Sequence, residues 1–145
     1  MSLQDWLENN WLVTHITSKQ EISGLFSIVQ RNLDDVKKDI STDSKFGLAY
    51  NAALNLCTIL LYAKGYKATR SQHHFRTIKT LPLILGDTKQ QDAEYLNTCR
   101  IKRNILDYDY SGGITFLDAE ELIDFVVSFK KEVVNWLSAN YPEYL

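Results

Sequence analysis

Between about Lys45 and Lys64 the chain carries Leu48, Ala49, Ala52, Ala53, Leu54, Leu56, Ile59, Leu60 and Leu61, apolar residues that fall almost all round a helix. A helix of that kind is stable only when other elements surround it, so it is predicted to be the central one. Gly65 ends it, by supplying a backbone that can turn left-handed. Its one polar line is Asn51, Asn55, Thr58 and Tyr62, at i, i+4, i+7 and i+11. Buried amides on that line need hydrogen-bond partners, from a neighbouring helix or from a ligand.

The surrounding segments are also punctuated as helices. Ser18-x-x-Glu21 reads as a capping box, followed at helical spacing by Ile22, Phe26, Val29, Leu33, Val36 and Ile40. Residues 41–44 read as a short break before the central helix. Ser71 can cap a fourth helix running to about Leu85, with Pro82 bending or splitting it. Thr88-x-x-Gln91 opens a fifth. Thr115-x-x-Asp118 opens the last, with Leu122, Val126, Phe129, Val133 and Trp136 on one face and Asn140 and Pro142 at its end. A short N-terminal helix holds Trp6, Leu7 and Trp11. There are no repeats, no low-complexity tract and no alternating strand pattern. The expected fold is all-α, without a sheet: an antiparallel up-and-down helical bundle of four long helices plus one or two short helices, forming a single domain over 1–145.

Charge and composition exclude several classes. At 145 residues the chain is long enough to bury a substantial core. A formal net charge of −2 gives no general nucleic-acid signal, so any polyanion must bind a local patch. No long apolar run is read as a membrane span, and no basic leader precedes an apolar core, so the expected location is cytoplasmic, with no membrane partner. Cys57 and Cys99 lie within apolar stripes and read as small buried thiols, consistent with a reducing compartment. No phosphate-binding glycine loop, catalytic triad order or paired carboxylates emerge, and no cofactor or metal is called for. His73 and His74 have no i,i+4 histidine or cysteine cluster to complete a metal site. The basic run Lys64, Lys67, Arg70, Arg76 and Lys79 reads first as a solvated helix–loop face and second as a nucleic-acid patch.

The helix opened by Thr88 breaks local preferences at its end. Leu96, Cys99, Leu106 and Tyr110 form one stripe, and Arg103 falls inside it. A guanidinium there must be paired or must line a wet cleft, because a lone buried charge is costly. Two readings follow: a fork for phosphate or another oxyanion, or a structural ion pair with Asp107 or a carboxylate of another helix. Asp107 and Asp109 sit where the helix dipole disfavours negative charge. A second apolar line, Ile101, Ile105 and Tyr108, runs opposite the first, so the helix is expected to be buried on two sides. One side is the core; the other faces a second copy across a two-fold axis or is covered by the N-terminal helix.

These residues resemble the signature of the HEPN domains, small helical bundles of prokaryotic toxin–antitoxin pairs and larger defence proteins. Their motif is Arg, often followed by a polar residue, then four to six residues and His; one toxin subgroup reads R-x4-H-x-Y. Arg103, Asn104, Tyr108 and Tyr110 stand in that frame, with Tyr108 in the place of the histidine. Ala49-Tyr50-Asn51-Ala52-Ala53-Leu54, in the helix ending at Gly65, is similar to the family's first long helix, and the pair His73-His74, with Arg100 and Lys102 ahead of the motif, is similar to one branch of it. The resemblance implies a homodimer with motif helices facing across a cleft, a nucleotidyltransferase antitoxin as partner, an RNA or nucleotide ligand, and in active members a metal-independent endoribonuclease. Arg103, Tyr108 and His74 are the catalytic candidates it implies; Arg103, Asn104, Tyr110, Asn51, Asn55, Arg100 and His73 are the ligand-binding ones. Tyrosine titrates near 10, so only about 0.1% of Tyr108 would be in its base form at pH 7. The expected role is therefore binding rather than efficient catalysis.

Overall fold

The computed structural model describes residues 1–108 and 113–145, and the side chains of residues 106–108 are outside that description. In chain order the elements are α1 (Leu3–Glu8), β1 (Leu12–Thr14), α2 (Lys19–Asp35), α3 (Thr42–Ala63), β2 (Tyr66–Ala68), α4 (His73–Lys79), α5 (Leu81–Leu85), α6 (Gln90–Tyr108) and α7 (Phe116–Asn140), with 3-10 turns at Asp87–Lys89 and Pro142–Tyr144. The protein is mostly α-helical.

The central position of α3 follows from its composition. Ala49, Ala52, Leu56, Ile59 and Leu60 have no measurable exposure, and α3 packs against α2, α6 and α7. By length and hydropathy α3 would also pass for a membrane span, which the sequence reading did not count; here its apolar surface forms the middle of the core. Ile22, Val29 and Leu33 of α2 and Leu122, Val126, Val133 and Leu137 of α7 close over it. The alanines let the flanking backbones approach while Phe46, Tyr50 and Leu56 fill the spaces between them.

Caps set where the helices begin. Thr115 Oγ1 accepts from the Asp118 amide while the Asp118 carboxylate accepts from the Thr115 amide, so the capping box before α7 forms as read. Only half of the one at Ser18 forms. Ser18 Oγ accepts from the Glu21 amide, but the Glu21 carboxylate turns back to His15 and Thr17 instead. Ser41 caps α3 directly, so the expected break at 41–44 is already helix from Thr42. The helix expected from Ser71 to Leu85 is two helices. It begins at His73 after Gln72, whose φ is 53°, and it divides at Thr80, so that Pro82, which has no amide to donate, falls in the first turn of α5.

The expectation of no sheet needs correction. β1 and β2 pair antiparallel with Leu12 opposite Ala68, Val13 opposite Lys67 and Thr14 opposite Tyr66. The His15 amide donates to the Gly65 carbonyl at 2.8 Å, where Gly65 adopts φ +92°, and the Thr69 amide donates to Trp11 O. This ribbon ties the N-terminal arm to the end of α3. Leu3, Leu12, Leu61 and Ala68 make a small second core under it, with Trp6 packed alongside. The N-terminal arm therefore lies over the β2 end of α3, and Trp11 falls outside α1.

Candidate functional site

α6 carries Arg103, Asn104 and Tyr108 of the motif, and α4 packs against it. Leu96 and Cys99 face the core, and Cys57 and Cys99 are both buried free thiols, which burial pushes up to about 12 and about 11 respectively. One turn on, Arg103 is half-buried and its guanidinium carbon lies 5.4 Å from the centre of the Tyr50 ring. Tyr50, on α3, is buried, and its hydroxyl sits 3.4 Å from Nδ1 of His74, with the direction of that hydrogen bond set by the imidazole tautomer. Burial raises the Tyr50 pKa, so the ring stays a neutral phenol between a guanidinium and an imidazole.

The two neighbours of Tyr50, Arg103 and His74, line different cavities. One, of about 770 Å³, is lined by Arg103 and Asn51 together with Asp35, Lys38, Asp43 and Ser44. The other, of about 440 Å³, is lined by Gln72, His73, His74, Phe75, Arg100 and Asn104. Arg103 and Asn104 thus do not share one cleft as expected: neighbours on a helix point about 100° apart. Asn51 does reach Arg103's cavity. Asn55 does not; its side-chain amide donates to the Asn51 carbonyl one turn back, so α3 satisfies its own amide. Tyr108's side chain, Asp107's side chain and the whole of Tyr110 lie outside the described residues.

The electrostatics of the two cavities differ. The larger one contains the carboxylates of Asp35 and Asp43, and Asp35 holds Lys38 at 2.8 Å. Among the described residues, those lining the smaller one include no carboxylate. Arg100 is fixed there by two contacts: its Nε donates to Asn97 Oδ1 at 2.9 Å, and its guanidinium stands 5.4 Å from the Phe75 ring centre. An oriented guanidinium, an amide and two imidazoles suit an oxyanion better than the mixed-charge cavity does. Among the described residues no group of three or more His, Cys, Asp or Glu is placed to hold a metal ion.

Burial, then its neighbour His73, then Arg103 and Arg100 hold His74 below the ordinary 6.5; burial and then Lys67 do the same for His73. Both imidazoles are therefore neutral at pH 7. A base whose folded pKa is depressed contributes stability that is complete above the unfolded value and is lost as pH falls through the folded one. Unfolding in urea should accordingly show stability declining as pH drops below about 6.5. The His73→Gln/His74→Gln double variant should lose most of that decline, and an unchanged slope would show that other groups cause it.

Phe75 and Tyr50 organise the site, yet neither was singled out as a functional residue in the sequence. Tyr50 was legible only as part of the Ala49–Leu54 resemblance, and Phe75 only as an apolar neighbour of the two histidines. The second apolar line of α6 is not covered by the N-terminal arm: Ile101 is 48% exposed and Ile105 40%. Phe116 and Leu117, at the start of α7, are exposed as well. Comparison with protein-family models, with curated proteins and with solved structures gives no significant match.

Proposed function

We propose that this chain is a HEPN-like RNA- or nucleotide-binding module of a toxin–antitoxin or defence system, working by binding rather than efficient catalysis. The observation that carries the reading is the cleft where Arg100, Asn104, His73 and His74 converge, with Arg103 close by against the Tyr50 ring. In this reading α2, α3, α6 and α7 are the four long helices of an antiparallel up-and-down bundle, forming one domain over 1–145. The exposed Ile101 and Ile105 support a homodimer across α6, which would bring two copies of the site toward each other. The cognate partner is then a small nucleotidyltransferase antitoxin, and the setting is cytoplasmic.

Arg103→Ala and Arg100→Ala are the test. Each should weaken binding of a short RNA and lower the dependence of log affinity on log salt by about 0.7, the value for one phosphate contact on a single strand. Wild-type protein that binds neither RNA nor nucleotide would overturn the reading in favour of a non-catalytic dimeric scaffold.

A second reading, a metal-independent ribonuclease, is favoured by one observation. His74, neutral at pH 7, stands beside Arg100 and Asn104 and offers from α4 the proton-transfer group that Tyr108 lacks. RNA cleavage by the wild type that is lost in His74→Gln would favour it.

A further inference from the structure

The cleft of Arg100 and Asn104 shares a wall with a second cavity. Gln72 and Phe75 also line this second cavity, of about 450 Å³, whose other walls include Trp6, Trp11, Arg76 and Lys79. The two cavities thus adjoin at α4, and among the described residues neither is lined by a carboxylate, although acidic residues outnumber basic ones in the chain, 18 to 16.

The cations of this groove are held on aromatic rings. The Arg76 guanidinium lies 5.3 Å from the Trp11 ring centre, Lys79 Nζ lies 5.7 Å from that of Phe75, and Arg100 approaches the same Phe75 ring. Trp6 meets Trp11 edge to face at 5.3 Å, which fixes the orientation of the indole. Arg76 is further steadied by Thr69 at 3.5 Å. Arg76 and Lys79 came from a basic run read in the sequence as a solvated face. Lys64, Lys67 and Arg70 of that run are exposed, but these two are half-buried in the groove.

We propose that this groove is a stacking track for single-stranded RNA, which extends the Arg100–Asn104 cleft along α4 to Trp11. The inference rests on the binding function proposed above and names its ligand class. Bases stack on aromatic faces and on guanidinium planes, while cations alternating with those faces meet the phosphates. A duplex keeps its bases stacked on one another and cannot use the rings. A free nucleotide fills one end only.

Affinity for an unstructured decamer RNA, measured by fluorescence anisotropy, tests the track against a mononucleotide and an RNA duplex. The decamer should bind more tightly than either. Trp11→Leu and Phe75→Leu keep an apolar side chain in place, so the fold is retained while the stacking face is lost. Each should weaken the decamer by about 5- to 150-fold, the range for one stacked base. Arg76→Gln/Lys79→Gln should lower the salt slope by about 1.4. If Arg103→Ala and Arg100→Ala lose the decamer while these variants bind it like wild type, the track is overturned and the binding function stands. A mononucleotide that binds as tightly as the decamer likewise overturns the track. Wild type that binds no RNA at all overturns the binding function, and the track with it.

Discussion

Tyr108→His is expected to create or raise metal-independent cleavage of RNA. Attack by a 2′-hydroxyl on its own phosphate needs a group that takes one proton and gives another near neutral pH. Histidine does this with a pKa near 6.5, whereas tyrosine near 10 is almost wholly protonated. A positioned general base contributes about 10²- to 10⁴-fold, so a change of that order is the expected rise in rate. The assay is single-turnover cleavage of a labelled RNA in the presence of a chelator. Wild type that already cleaves quickly, and loses activity in Tyr108→Phe, would make Tyr108 itself catalytic and end the preference for binding.

Leu60→Ala should cost about 2–5 kcal/mol, because Leu60 has no exposure and lies on the helix against which α2, α6 and α7 pack. That is a large fraction of the roughly 5–15 kcal/mol that holds a typical domain folded. Urea unfolding should show a lower midpoint with an unchanged slope. An exposed substitution such as Gln20→Ala should shift it by no more than about 0.5 kcal/mol. A cost below about 1 kcal/mol at Leu60 would mean that α3 is not the packed centre of the molecule.

The helices were legible where a single segment contains its own instructions. The all-round apolarity of 45–64 required a central helix, and Thr115 with Asp118 marked the start of α7 to the residue. The ribbon was not legible, because Leu12-Val13-Thr14 and Tyr66-Lys67-Ala68 are too short for alternation to show and their pairing is remote in sequence. Glu21 misled for a related reason: its better partners, His15 and Thr17, lie ahead of the cap rather than within it. At the site, Arg103, Arg100, Asn104 and the two histidines could be named from the motif and its neighbours. Their division between two cavities could not, since it depends on Tyr50 standing between α4 and α6. Phe75 and Trp11 carry no motif, and only the fold brings Arg100 and Arg76 onto their rings.

The β1–β2 ribbon has a consequence for how much of the groove exists at any instant. A two-stranded ribbon is marginal alone, and closing the long segment between its strands costs chain entropy. The arm from Met1 to Thr14 rests on a small cluster apart from the main core, so amide exchange is expected to show it opening before the helices do. Trp11 travels with that arm, whereas Phe75 and Arg100 remain on helices of the main body. With the arm open, the proposed groove would be reduced to its Phe75 end. By mass action, a ligand that reaches Trp11 latches the arm shut, and one that stops at Phe75 leaves it free to open.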